Sequence, residues 1–192
     1  MIERILILAS ASPRRQQILQ LAQIPYEVCP SQAEELCDAT LPVEQLVVEN
    51  AKRKATDVSA KHPRRLVLGA DTLVTADGKG LGKPRDRAHA KEMLRFLSGR
   101  THEVMTGVCL TDGIRTETAL SVSRVTFREL TDELIDLYIE TGECDDKAGA
   151  YGIQEKGCVL VEKIDGDFFS IVGLPICKVC QMTELYFDKS DN

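Results

Sequence analysis

Short apolar runs alternate with stretches of helical period along the whole 192-residue chain, and that alternation is what most limits the fold. Strand-like runs separated by amphipathic helices predict an α/β domain. Ile5 to Ala9 reads as a buried strand, followed by a helix from Pro13 to Ala22 with Ile18, Leu19 and Ala22 on one side. Val43, Leu46, Val47, Ala51, Ala55 and Val58 recur at helical spacing and predict an amphipathic helix over 43–58. Leu66 to Leu68 reads as a strand that gives way to Gly69-Ala70-Asp71-Thr72, and Leu73 to Thr75 with Asp77-Gly78 reads as a hairpin. A helix over 88–97 ends at Gly99, which can take the left-handed cap. Strands are expected over 102–110 and 120–127, then a helix capped by Thr131 and stopped by Gly142. Cys158 to Ile164 and Phe168 to Val172 predict a hairpin around Asp165-Gly166, and Pro175 opens a last helix.

The length fits one domain, residues 1–192, with no repeat or linker to divide it. With 43% hydrophobic and 28% charged residues the chain can bury a core and is neither disordered nor fibrous. Ile5 to Ala9 is far shorter than the roughly 20 apolar residues a membrane helix requires, so no membrane partner is expected. A net charge of −6 argues against a nucleic acid polymer as partner, because a basic face supplies most of that affinity. It leaves room for a small phosphorylated ligand, for which a few clustered cations suffice. Seven cysteines, an odd number without a secretion signal, predict reduced thiols and a cytoplasmic location. Cys177 and Cys180 read as two small residues on a helix, since no second pair or histidine spacing completes a zinc site.

Several segments could carry chemistry. Ser10-Ala11-Ser12-Pro13-Arg14-Arg15 joins a strand to a helix, with Ser12 as N-cap and Pro13 as first helical residue. Free N–H groups favour an anion there, and two arginines in the first turn, where the dipole disfavours them, point the same way. Asp71 leaves the carboxyl end of a strand, where it could act as general base or hold a divalent metal. Lys83 follows Gly80-Leu81-Gly82, a weak signal alone. Asp146 to Gln154 is denser: its small residues let backbone approach a ligand, and Lys147 and Gln154 offer donors. Tyr151 reads as core, His102 as a structural histidine on a strand, and Glu34-Glu35 as a solvated pair unless a metal is near. Together these residues suit a metal-assisted hydrolase of a phosphorylated small molecule.

The segment 10–15, Gly69-Ala70-Asp71-Thr72, Gly82-Lys83-Pro84, Ser98-Gly99-x-x-His102, the run 146–154 and Val172-Gly173-Leu174-Pro175 resemble, in order, the Maf family of nucleoside triphosphate pyrophosphatases. The resemblance implies an α/β fold with a mixed, twisted sheet and flanking helices, two lobes around a cleft, related to the inosine triphosphate pyrophosphatases. It implies a divalent cation, Mg or Mn, cleavage between the α- and β-phosphates, and a homodimer as a common assembly. Arg14, Thr72 and Gln154 match the branch acting on dTTP and UTP and are implied to set substrate choice. Asp71 is implied as proton acceptor, and Ser10, Arg15, Lys54, Lys83 and Lys147 as phosphate ligands. Glu34, Glu35 and Asp71 are the implied metal ligands.

Three residues depart from that pattern. Asn50 replaces an apolar residue, Arg53 stands where an acidic one is common, and Cys144 replaces a proline. They are expected to lie beside the motifs, with small effects on stability and none on the reaction. The expected activity is hydrolysis of dTTP and UTP, with modified pyrimidine nucleotides as alternative substrates. The rival expectations are a nucleotide-binding regulator of septum formation whose hydrolysis is incidental, and a redox or zinc protein built on Cys177 and Cys180.

Overall fold

A computed structural model describes residues 5–38 and 40–188. Among these, seven strands form a mixed sheet: β1 Leu6–Leu8, β2 Tyr26–Val28, β3 Val67–Ala76, β4 Lys79–Leu81, β5 Thr101–Thr111, β6 Thr116–Phe127 and β7 Val161–Asp165. Their order is β2-β1-β3-β5-β6-β7, with β4 paired to β3. β1 runs parallel to β2 and β3, whereas β4 is antiparallel to β3 and β7 to β6. The helices are α1 Pro13–Leu21, α2 Val43–Ser59, α3 Arg87–Leu97, α4 Asp132–Glu140, α5 Phe168–Val172 and α6 Ile176–Asp188. The chain divides into two compact units.

The first unit comprises the chain up to Asp71, Thr106–Ser121 and the chain from Gly173 onward. Ile7, Ala9, Ala51, Ala55, Val58, Val67 and Cys109 form a buried cluster in it. Two glycines let α2 lie directly against the strands. A Cβ on Gly69 would come within 2.2 Å of the Ala51 carbonyl oxygen, and one on Gly107 within 2.5 Å of that of Val47. Neither neighbour can yield, because each is helix backbone. The close approach brings the side chains of α2 onto those of β3.

The second unit comprises Thr72–Met105 and Val122–Val172. Its helices are capped by local chemistry. Asp86 accepts from the backbone N–H of His89 at the start of α3, and the Thr131 hydroxyl from that of Leu134 at the start of α4. Both helices end before a glycine of positive φ, Gly99 at 65° and Gly142 at 75°. Arg95 grips Asp132 through two bonds of 2.8 and 2.6 Å, which ties α3 to α4. The β3–β4 turn has Asp77 and Gly78 both at positive φ, 51° and 72°, the mirror-image turn that Asp-Gly favours.

Three expectations are corrected. Phe168 to Val172 is helix α5, and no hairpin forms around Asp165-Gly166. Asp167 overrides the short apolar run: its carboxylate accepts from the N–H of Phe169, and its carbonyl accepts from the Ser170 hydroxyl. Residues 158–164 are likewise split, a 3₁₀ turn over Lys156–Leu160 preceding β7. Val67–Leu68 and Leu73–Thr75 belong to one continuous strand, which begins one residue after Leu66, so Asp71 lies in the middle of β3 and not at its carboxyl end. Gly69-Ala70 does not break that strand because Gly69 serves the contact with α2 and not a turn.

Candidate active site

Alternation along β3 puts Asp71 on the same face as Gly69, the face that α2 covers. There α2 presents Asn50 and Lys54, one turn apart on one side of the helix. Lys54 Nζ donates to Asp71 Oδ1 at 2.7 Å and pairs with Glu35 Oε1 at 2.6 Å. Asn50 Nδ2 donates to the other oxygen, Asp71 Oδ2, at 3.3 Å. Asp71 and Asn50 are buried and Lys54 nearly so, whereas Glu35 is exposed. A buried carboxylate is costly unless it is paired and hydrogen-bonded, and Asp71 is both.

Arg15, in the first turn of α1, points inward. Its Nε donates to the Gly173 carbonyl at 2.9 Å and its Nη1 to the Ser10 hydroxyl at 2.9 Å. Burial pulls the guanidinium below its ordinary pKa; Arg14 adds to the fall, and the carboxylates of Asp71 and Glu35 oppose it. An arginine remains charged through such changes, so Asp71 and Glu35 have two cations about them, Lys54 and Arg15. Ser12 occupies the N-cap of α1, but its side chain makes no capping bond. Its N–H is instead 3.3 Å from the Ser10 hydroxyl, which thus serves both Ser12 and Arg15.

The structure therefore joins Asp71, Lys54 and Glu35 in one group, with Ser10 and Arg15 in another that feels its charge. Arg14 is half-buried. Glu34 is exposed and enters no such pairing among the described residues. Asn50 corrects the expectation of a bystander. It touches Asp71 directly, and its distance of 21 residues along the chain hid this from a reading by motif. The only signal in the sequence was an amide at a position of helical period where an apolar residue was due.

In the second unit, Thr72 is half-buried on β3 and Lys83 is exposed after β4. Lys147 Nζ donates to the Glu143 carbonyl at 2.7 Å and to Asp146 Oδ1 at 2.8 Å. Its stem lies over Gly152, where a Cβ would come within 2.6 Å of it. The Gly149 N–H donates to the Gly82 carbonyl at 3.1 Å, so the segments carrying Lys147 and Lys83 are tied together. Gln154 is exposed in a turn. His102 and Tyr151 are core residues, as expected: they pack with Phe127 in a buried trio, His102 Nε2 lying 2.8 Å from the Tyr151 hydroxyl.

Glu35 and Asp71, from different segments, converge on a single ammonium. Such a pair fits a hard divalent cation that takes its remaining ligands from water and substrate phosphates. Among the described residues no group of three or more His, Cys, Asp or Glu could hold a metal ion by itself. All seven cysteines are free, and no helix among the described residues is long and apolar enough to cross a membrane.

The chain matches the family model described as Maf-like protein over residues 5–185. It is 52% identical over 173 residues to a Bacillus cytotoxicus protein named dTTP/UTP pyrophosphatase, covering 90% of this chain and 91% of that protein. Proteins of the same name from Bacillus velezensis and Bacillus pumilus are 53% and 49% identical, over 90% and 94% of this chain and 92% and 96% of their own lengths. Among solved structures it is similar to the Ham1 protein of Staphylococcus aureus, with a TM-score of 0.48 and 14% identity over 64% of this chain and 71% of that one, too distant to bear on the site. A model spanning nearly the whole chain and relatives half identical to it agree, and the chain belongs to the Maf family.

Proposed function

We propose that this chain is a cytoplasmic pyrophosphatase that hydrolyses dTTP and UTP to the monophosphate and pyrophosphate. One structural observation carries the reading: a buried aspartate on β3, held at both oxygens and flanked by cations, in a chain half identical to proteins named for that activity. An odd number of cysteines, seven, suits a reducing compartment.

In the proposed reaction, water attacks the α-phosphorus and its proton passes to the Asp71 carboxylate. The bond from the α-phosphorus to the bridging oxygen breaks, and pyrophosphate leaves with the electron pair. Asp71 has the lone pairs for this, since a carboxylate accepts at about four positions and two are used here. Arg15 and Lys54, held by Ser10 and by the carboxylates, meet the triphosphate charge without reorganising. Lys83 and Lys147 are the further phosphate ligands the resemblance assigns. Glu35 and Asp71 would hold Mg or Mn, which when bound would neutralise charge developing on the leaving pyrophosphate; Glu34, which the resemblance adds to the set, stands outside that pair. Arg14, Thr72 and Gln154 would set base preference, the Gln154 amide both donating to and accepting from the edge of a pyrimidine.

Pyrophosphate release from dTTP, UTP, CTP, GTP, inosine triphosphate and 7-methylguanosine triphosphate, with Mg²⁺ or Mn²⁺, tests this reading. Turnover concentrated on dTTP and UTP is the expected result. Preference for the methylated guanine nucleotide would overturn the branch assignment, and nucleotide binding without turnover would favour a regulator. A Gln154→Glu variant with unchanged base preference would remove Gln154 from the specificity set.

A further inference from the structure

Asn50 is 3% exposed, and its amide is oriented by its partners. The Leu36 N–H, which can only donate, lies 2.7 Å from Asn50 Oδ1. The nitrogen must then face the other way, where it meets two acceptors, the Leu36 carbonyl at 3.2 Å and Asp71 Oδ2 at 3.3 Å. Two bonds to one backbone residue hold the amide plane, and they aim its remaining N–H at Asp71. Lys54 holds the opposite oxygen. The carboxylate is thus pinned at both ends against rotation about its Cβ–Cγ bond. The apolar residue that the family resemblance leads one to expect here would fill the same volume and supply no donor.

We propose that Asn50 is a positioning residue for Asp71, holding its carboxylate in the orientation that receives the proton of the attacking water. The inference rests on the reading of Asp71 as proton acceptor. Asn50 contacts neither water nor nucleotide in this account and acts through Asp71 alone. Its second task is to tie the backbone of Leu36 to α2, which fixes the neighbouring Glu35 beside Lys54. A side chain that only filled space would do neither.

The test uses the full chain with saturating Mg²⁺, following pyrophosphate release from dTTP and UTP by the wild type and by Asn50→Leu, Asn50→Asp and Asp71→Asn. Thermal unfolding is followed in parallel. Asn50→Leu keeps the volume and removes the donor. Both bonds to Leu36 go with it, and kcat is expected to fall by at least roughly three- to tenfold, the worth of the single bond to Asp71, with KM within about twofold. Asn50→Asp keeps an acceptor for the Leu36 N–H but turns a like charge on Asp71, so its kcat is expected to fall at least as far. If the tie to Leu36 were all that mattered, Asn50→Asp, which keeps one of its two bonds, would turn over faster than Asn50→Leu, and the inference would be overturned. It is overturned equally by an Asn50→Leu variant with unchanged kcat, or by one whose loss is matched by a rise in KM. Full turnover by Asp71→Asn would overturn the proton-acceptor reading and this inference with it. An inactive Asp71→Asn beside an unaffected Asn50→Leu would overturn this inference alone.

Discussion

Each compact unit buries a titratable side chain in a family segment, Asp71 in the first and His102 in the second, and the two are treated in opposite ways. Asp71 meets Lys54 at 2.7 Å, Asn50 at 3.3 Å and the field of Arg15, so its surroundings complement a negative charge. His102 meets a phenol and two ring edges, with Phe127 and Tyr151 centroids at 4.9 and 5.4 Å. Burial among them drives its pKa down to about 4, which leaves the imidazole neutral. A charge maintained out of water by several ordered partners is what the proposed proton acceptor requires. A polar ring that gives up its charge and packs is the mark of a core. Both residues fall in segments that resemble the family pattern, so the motif alone does not separate them.

The largest expected effect is on turnover. Asp71→Asn keeps the shape and the possibility of a bond from Lys54 but cannot take up a proton as the carboxylate does. Its kcat should fall by about 10² to 10⁴, the usual contribution of a general base. Retained turnover in a pyrophosphate-release assay would erase the contrast, because Asp71 would then be a structural carboxylate.

Next is Lys54→Met, which keeps an apolar stem and removes the ammonium shared by Asp71 and Glu35. Breaking a buried pair from one side leaves an uncompensated charge, and about 3 kcal/mol of stability should be lost at pH 7. Urea unfolding measures it. In the Asp71→Asn background the same substitution should cost far less, since the stranded charge is gone. Equal costs in the two backgrounds would show that Lys54 contributes packing and not charge.

What could be read beforehand follows from how far each signal reaches along the chain. The Asp77-Gly78 turn, the Thr131 cap and the Gly99 and Gly142 stops rest on contacts within a few residues, and each formed as expected. Phe168 to Val172 reads as a strand but forms a helix, because five apolar-rich residues fit either structure and the outcome turns on the side chain of Asp167 just outside them. β2 went unnoticed because Tyr26–Val28 is a short edge with little burial and no alternation to mark it. Arg15 and Asp71 stand out as candidates by residue chemistry, and Lys54 only through the family resemblance. Their geometry was not legible, since it depends on α2 crossing β3 at Gly69 and on Gly173 reaching back to Arg15. Asn50 was visible only as an exception, for the same reason.

That crossing can be tested directly. Gly69→Ala would place a methyl group 2.2 Å from the Ala51 carbonyl oxygen and 2.9 Å from the Ala55 nitrogen, both helix backbone. α2 would have to move outward, carrying Asn50 and Lys54 away from Asp71. A loss of about 2–3 kcal/mol in urea unfolding is expected, at the upper end for an overpacked contact, together with reduced kcat. The same change at Gly82, where nothing lies within 4 Å of a new Cβ, should leave stability nearly unaltered and serves as the control. Similar losses at both positions would mean that backbone freedom, not the approach of α2, is what glycine provides at Gly69.

The gentlest probe of the contrast is pH. His102 has a folded-state pKa near 4 against an ordinary value of 6.5. Above pH 6.5 the imidazole is neutral in both states and does not oppose folding. Between 6.5 and about 4 only the unfolded chain takes up the proton. Stability from this group is therefore lost as pH falls, by up to about 1.4 kcal/mol per pH unit, and the loss levels off below about 4, where the native state protonates too. His102→Gln keeps a polar partner for the Tyr151 hydroxyl and does not titrate. Urea unfolding of the two proteins at pH 7, 6, 5 and 4.5 isolates the effect, because carboxylate titrations common to both cancel in the difference. At pH 7 the wild type should be the more stable, and its lead should shrink with each step down. A constant lead would mean that the native imidazole reaches a charge or water, and that the second unit has a poised group of its own where packing alone is expected.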